Sequence, residues 1–279
     1  MSNKKNNTDF SNITEAKELV SFLNNPDRFI NIKYFTKYMK LSTLKNMFSN
    51  EMIFINNPSN MNDLYEYGAF HDKSKWEKIC FASFIGQSDE NMAMWSMYGQ
   101  PWEEGVMISI PKKDLVKLVD KQPKLVSAEY DKVDHMYKPG NEVTSSDDML
   151  SIVRVAYVNG KAKAIVYRNE ENKNFSNPYS IPEFTGYLKD IAWDYEKEMR
   201  IRVDLPMSYK EKAIFLKLPQ ELLQQVIITT GPRFEGNMLT SLPEKYKLIE
   251  IKTSRFKEKL AWTPCDNCLY KSAAKKCNN

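Results

Sequence analysis

The chain of 279 residues predicts an α+β fold, a mixed twisted sheet flanked by short helices. Three observations point that way. Short runs of β-branched and aromatic residues recur from residue 29 to residue 252, they alternate irregularly with short amphipathic helical segments, and no internal repeat or low-complexity linker divides the chain. A hydrophobic content of 42% is enough for a substantial core.

The organisation read from the sequence is a disordered polar N-terminus over residues 1–13, one domain over 14–256, and a basic, Cys-containing tail over 257–279. Ala16, Leu19, Val20 and Leu23 fall at helical spacing behind Thr14, and Pro26 breaks the helix. Phe29 to Phe35 reads as a strand, Ser42 to Phe48 as a short helix and Met52 to Ile55 as a strand. Asn56 to Asp63 is dense in turn formers and reads as a loop. Ile79 to Ile85 is a strand carrying Ser83, and Asn91 to Tyr98 is a helix. Gly105 to Ile110 is a strand, Pro111 opens an amphipathic helix, and Leu125 to Tyr130 returns as a strand. Residues 145–168 show helical spacing through Met149, Ile152, Val153 and Ala156 until Asn159-Gly160, and Asn172 to Pro182 reads as a loop. Strands follow at Ala213 to Leu218, Val226 to Thr229 and Tyr246 to Lys252, with a helix seeded at Pro219-Gln220-Glu221.

The segment Trp193 to Val203 sorts its side chains by parity. Read as a strand, it places Glu196, Glu198, Arg200 and Arg202 on one face, and Tyr195, Met199, Ile201 and Val203 on the other, with Lys197 the exception. Such a polar face is either a solvated edge laced with ion pairs or the floor of a charged cleft. Paired carboxylates in a cleft can hold a ribose hydroxyl and stabilise positive charge at an anomeric carbon.

Two further groups are candidates. Trp95 and Tyr98 stand on one helical face, suited to a core or to covering a flat ring, and Lys33-Tyr34 closes the first strand, where ammonium and phenol groups could hold a diphosphate or ribose. The two histidines, His71 and His135, lie in no metal or triad spacing, and the chain has no Walker-type phosphate loop and no Gly-rich dinucleotide fingerprint. Cys265, Cys268 and Cys277 read as tail thiols rather than as a four-ligand zinc site, so no metal is expected. No apolar run reaches bilayer length and the opening residues lack a secretory signal, so a cytoplasmic protein without membrane contact is expected. The net charge of +4 is uneven: from residue 207 onward there are 13 Lys/Arg against 7 Asp/Glu. A basic part of that kind suits a polyanionic partner as well as it suits a solvated surface.

In order and spacing, several motifs resemble the bacterial family known as domain of unknown function 2971. They are Ile32-Lys33-Tyr34, Pro58 to Asp63, Cys80 to Phe84, Met94-Trp95-Ser96-Met97-Tyr98-Gly99, Gly105 to Ile108, Trp193 to Arg200 and Val226 to Gly231. Where members of that family carry a His before the glycine, this chain has Glu103 and Glu104. The succession of a strand-end polar residue, a Ser-bearing strand and a Glu-x-Glu strand also resembles the ADP-ribosyltransferases. That resemblance implies a mixed β-sheet split around a cleft, with NAD as substrate and ADP-ribose passed to a macromolecule. It casts Glu198 as the catalytic carboxylate, Glu196 as the acceptor-orienting one and Ser83 as the middle-strand serine. Lys33 or Tyr34 stands where that family has Arg or His, and Trp95 or Tyr98 would lie near the nicotinamide. Toxins and anti-phage effectors occur among such enzymes, which implies a nucleic-acid acceptor such as RNA and a restraining antitoxin or regulatory protein. A non-catalytic module binding nucleic acid or a phage component is the competing expectation.

Overall fold

The computed structural model describes residues 32–57, 78–87, 89–143, 149–158, 167–168, 174–175, 186–206, 208–209 and 213–257. The expected helix at residues 14–23, the loop at 58–63, Asn159-Gly160, most of the loop at 172–182, His71 and the three tail cysteines lie outside them.

Among the described residues, fifteen strands run in chain order: β1 (Tyr34–Lys40), β2 (Met52–Asn56), β3 (Ile79–Ile85), β4 (Gly105–Pro111), β5 (Leu125–Asp131), β6 (Met136–Val143), β7 (Leu150–Arg154), β8 (Ala156–Val158), β9 (Tyr167–Arg168), β10 (Asn174–Phe175), β11 (Leu188–Asp190), β12 (Glu198–Asp204), β13 (Ala213–Lys217), β14 (Ile227–Thr230) and β15 (Ile251–Thr253). The α-helices among the described residues are short: α1 (Leu41–Asn50), α2 (Met92–Tyr98), α3 (Lys112–Asp120) and α4 (Gln220–Leu223). The fold is thus α+β with a large mixed sheet, as the sequence predicts. No helix among the described residues is long and apolar enough to cross a membrane.

Eleven strands share one sheet, ordered β15-β14-β4-β1-β3-β2-β13-β5-β6, with β12 and β7 branching from β3. Within this sheet, pairing is antiparallel except between β14 and β15. The branch is the feature that matters for a site. β3 pairs along its whole length with β12, from Glu198↔Ile85 to Asp204↔Ile79. It touches β1 only at Thr36↔Ile85 and β2 only at Asn56↔Phe81. Strands held together at one residue pair diverge on either side of it, so the sheet opens around β3.

Alternation decides which side chains fill the core. Met199, Ile201 and Val203 of β12 join Cys80, Ala82 and Phe84 of β3 and Ile53 and Ile55 of β2 in one apolar cluster. Each fully buried aliphatic side chain contributes roughly 1.5–3 kcal/mol of transfer free energy. Helix α1 adds Leu44, Met47 and Phe48 at the i, i+3, i+4 spacing. It stops where Glu51 takes a left-handed φ of 55°. Helix α2 starts at Asn91, whose side chain accepts the Ala93 N–H at 2.9 Å.

Several expectations are corrected. Among the described residues the first strand begins at Tyr34, so Lys33-Tyr34 stands at its start where the sequence predicts its end, and Phe29 to Asn31 lie outside those residues. Within the described part of residues 145–168 there are strands β7, β8 and β9 rather than a helix. Ile152, Val153 and Val155 are β-branched, and β7 gains a full partner in β12, so tertiary pairing outweighs the helical spacing. The last strand is confined to Ile251–Thr253, with a 3₁₀ turn at Glu244–Tyr246 before it. β6 has no counterpart in the sequence reading because Pro139 and Gly140 interrupt its alternation.

Candidate functional site

The opening beside β3 encloses a cavity of about 860 Å³. One end is charged and lined by Lys37, Ser83, Tyr98, Lys189, Trp193, Glu196 and Glu198; the other is lined by Met52, Phe54, Tyr137 and Phe215.

Glu198 opens β12, and because β12 lies between β3 and β7 it is no edge strand. Its side chain is buried, as is that of Arg200. The charged-edge alternative is therefore excluded for these two residues. Glu196 reaches the same place by another route. It ends a 3₁₀ helix, Ile191–Glu196, and Lys197 then turns the chain with a φ of 45°. The continuous strand from Trp193 is thus corrected: Glu196 and Glu198 converge through a tight turn, not through strand alternation. Lys197, which breaks the apolar parity, points instead to Asp194 at 2.5 Å.

Lys189 of β11 binds both carboxylates. Its Nζ lies 2.5 Å from Glu196 Oε2 and 3.3 Å from Glu198 Oε2, and it sits 4.8 Å from the centroid of the Trp193 ring. Arg200 holds Glu198 in a fork, Nε to Oε1 at 2.7 Å and Nη2 to Oε2 at 3.1 Å. The guanidinium also donates to the Gly186 carbonyl at 2.8 Å and stacks 4.0 Å over Phe81. Tyr98 donates to Glu196 Oε1 at 2.7 Å, and the Glu198 N–H donates to the Tyr157 hydroxyl at 2.7 Å. Burial alone would raise the Glu198 pKa, but Arg200 and Lys189, helped by hydrogen bonds from Arg200 and the Ser83 hydroxyl, hold it below the carboxylate range. Glu198 is therefore ionised at neutral pH, held as a carboxylate by its cations. Burial, followed by the Glu196 charge, pushes the Tyr98 phenol far up, so it stays a proton donor.

Lys37 of β1 reaches across the opening to the Ser83 carbonyl, at 2.9 Å, above the Phe84 ring. Desolvation lowers its pKa to about 8 against the opposing pull of Glu198. Lys37, and not Lys33 or Tyr34, lines the cavity. Lys33 is exposed. Tyr34 lines a separate cavity of about 180 Å³ with Glu90 and Arg255. The place of Lys33-Tyr34 at the start of β1, rather than at its end, explains the difference. Trp95 is also elsewhere: fully buried, it packs edge-on against Tyr38 at 4.7 Å and donates Nε1–H to Glu90 at 3.0 Å. Its helical partner Tyr98 is the one that faces the cavity. Lys37, Lys189 and Trp193 were not singled out from the sequence; Lys189 carried a signal, as a lysine soon to be buried amid Leu188 and Tyr187.

Three of the soft motifs meet behind this site. A Cβ on Gly105 would lie 2.4 Å from the Gly99 carbonyl, and one on Gly231 would lie 2.7 Å from the Gly105 carbonyl and 3.2 Å from the Trp95 ring. Gly231 N–H closes the contact on Gly105 O at 2.8 Å. Only glycine allows these backbones so close, and the contact anchors the end of α2 that carries Tyr98. Motifs far apart in sequence are thus one packing unit.

Residues 94–201 match the model of a family described as protein of unknown function, DUF2971. The resemblance to that family holds over this segment, which is shorter than the 30–231 span suggested by the motifs. It takes in Tyr98, Lys189, Glu196, Glu198 and Arg200, while Lys37 and Ser83 lie N-terminal to it. No curated protein and no solved structure matches the chain.

Proposed function

We propose that the protein is an ADP-ribosyltransferase that uses NAD as substrate and a nucleic acid, RNA, as acceptor. The observation that carries the reading is the convergence of Glu198, Ser83 and Tyr98 on one cavity beside a lysine of β1. In this reading the ribose sits over Glu198, and the nicotinamide lies between Tyr98 and Trp193 rather than near Trp95, which is sealed in the core. The bond from ribose C1′ to nicotinamide nitrogen breaks and the electron pair leaves with nicotinamide. Glu198, ionised and locked by the Arg200 fork, offsets the positive charge on C1′. The acceptor oxygen or nitrogen bonds to C1′ from the opposite face and gives up its proton toward Glu196. Lys37 would meet the diphosphate. The surplus of six positive charges from residue 207 onward suits a phosphate backbone. An effector of this kind would work beside a restraining partner protein.

Incubating the protein with NAD labelled in its adenylate half and with cellular RNA, DNA or protein tests the reading. Wild type should label RNA and release nicotinamide, and Glu198→Gln should do so at least about 100-fold more slowly, the usual effect of removing one electrostatic stabiliser. Absence of both label and nicotinamide with every acceptor would end the proposal.

One observation favours a second reading. Each carboxylate already has its counter-ion, Lys189 for both and Arg200 for Glu198. A satisfied network of this kind also suits a non-catalytic module that binds a nucleotide or nucleic acid. Binding without nicotinamide release would identify it.

A further inference from the structure

We infer that the end of the cavity away from Glu198 is a subsite for a nucleobase. It deepens the reading above and rests on it only for what occupies the charged end. The aromatic end is built by strand alternation. Ile53 and Ile55 of β2, with Ile214 and Leu216 of β13, point into the main core, so Phe54 and Phe215 emerge on the opposite face. There Phe54 lies 5.0 Å from Tyr137 of β6 with ring planes 31° apart, and 5.3 Å from Phe215. The main core does not include these rings, and Phe54 and Tyr137 are only partly buried, with the cavity against them.

Aromatic side chains that line a cavity can stack a flat ring, and they hold aliphatic groups less specifically. Amides of Asn46 and Asn50 on α1 line the same cavity and offer both donors and acceptors to a base edge. The neighbouring cation, Lys138, is tied to Asp131 and Asp134 at 2.6 and 2.5 Å. This end therefore lacks the free positive charge that a phosphate would require, whereas Lys37 lines the other end. Ring at one end, sugar and charge at the other: the cavity has the polarity of a nucleotide. The base could belong to the adenine half of a dinucleotide or to a single-stranded nucleic acid.

Calorimetric titration of adenosine 5′-monophosphate, NAD and a short single-stranded oligoadenylate into the full chain tests this. At least one should bind wild type at sub-millimolar concentration, and Tyr137→Ala should weaken that binding by about tenfold, the scale of one stacked base. Tyr137→Phe, which keeps the ring, should bind within about twofold of wild type, and Phe54→Leu should weaken binding like Tyr137→Ala. Binding of the monophosphate and NAD alone assigns the base to a dinucleotide; binding of the oligoadenylate alone assigns it to a nucleic acid. Failure of all three ligands on wild type, or equal binding by Tyr137→Ala, overturns the subsite. Glu198→Gln should still bind the base, and wild type that binds the base yet releases no nicotinamide would count against the transfer reading and leave this one standing.

Discussion

Two ion-pair clusters in this molecule use the same chemistry in opposite surroundings. In the β5–β6 hairpin, Lys138 bridges Asp131 and Asp134, and Glu142 bridges Lys124 and Lys217, all in contact with water. Beneath the cavity, Lys189, Glu196, Glu198 and Arg200 form a network almost without exposed surface. Carboxylate pKa values fall in both places: Asp131 and Glu142 to about 2 through hydrogen bonds from lysines, and Glu198 through cations that overcome its burial. Shifts in the same direction therefore conceal unequal energetics. On the hairpin, water already solvates each partner, and separating the pair changes little. In the network, the cations replace lost hydration, and a missing partner leaves a charge stranded.

The largest effect should follow from breaking the fork. Arg200→Met removes the group that satisfies both oxygens of Glu198, and urea unfolding should show a loss of about 3–5 kcal/mol. Pairing that change with Glu198→Leu removes the stranded carboxylate and should restore most of the stability. If the double variant is no more stable than the single one, the network is not what Arg200 supports.

Next comes a pH effect from Lys37. Its folded pKa, about 8, lies below the unfolded lysine value of about 10.4, so the unfolded chain binds more protons between the two. Stability contributed by this residue should therefore rise as pH climbs from about 8 to about 10.4 and level off above. Lys37→Met should flatten that rise while leaving the acid limb alone. Glu198 works in the reverse sense: its depressed pKa contributes stability above the unfolded carboxylate value of about 4.3, which is lost as pH falls through the folded value. Glu198→Gln should remove that acid-side loss. A Lys37→Met profile parallel to wild type above pH 8 would show that the ammonium is hydrated and does not lie in the opening of the sheet.

The contrast between the clusters also separates what was legible in the sequence from what was not. Parity correctly divided Met199, Ile201 and Val203 from Glu198 and Arg200, because successive side chains of a strand point to opposite faces. It wrongly extended the strand through Glu196, since nothing local marks the left-handed turn at Lys197. Ser83, Tyr98 and the two glutamates came from motif order and do meet; Lys33, Tyr34 and Trp95 do not join them. For the first two, a strand boundary slipped, and for Trp95 the helical face alone cannot say which ring the core will take. Lys37 was invisible for a different reason. It gains its role from β3, a strand distant in sequence, so pairing topology defines it and local pattern does not.

Salt should expose the smallest effect and the sharpest form of the comparison. At about 1 M ionic strength the Debye length falls to about 3 Å, so charges that face solvent are screened and buried ones are much less so. Followed by carbon-detected NMR, the Asp131 and Glu142 pKa values should climb back toward those of free carboxylates as salt is added, whereas Glu198 should hold its place. Lys138→Ala, at the centre of the hairpin cluster, should likewise shift the thermal midpoint too little to resolve, because its two partners regain water when it leaves. A Glu198 titration that moves with salt as Asp131 does would mean that water enters the charged end of the cavity. The carboxylate would then face solvent screening rather than the low-dielectric site that stabilising a cationic sugar demands.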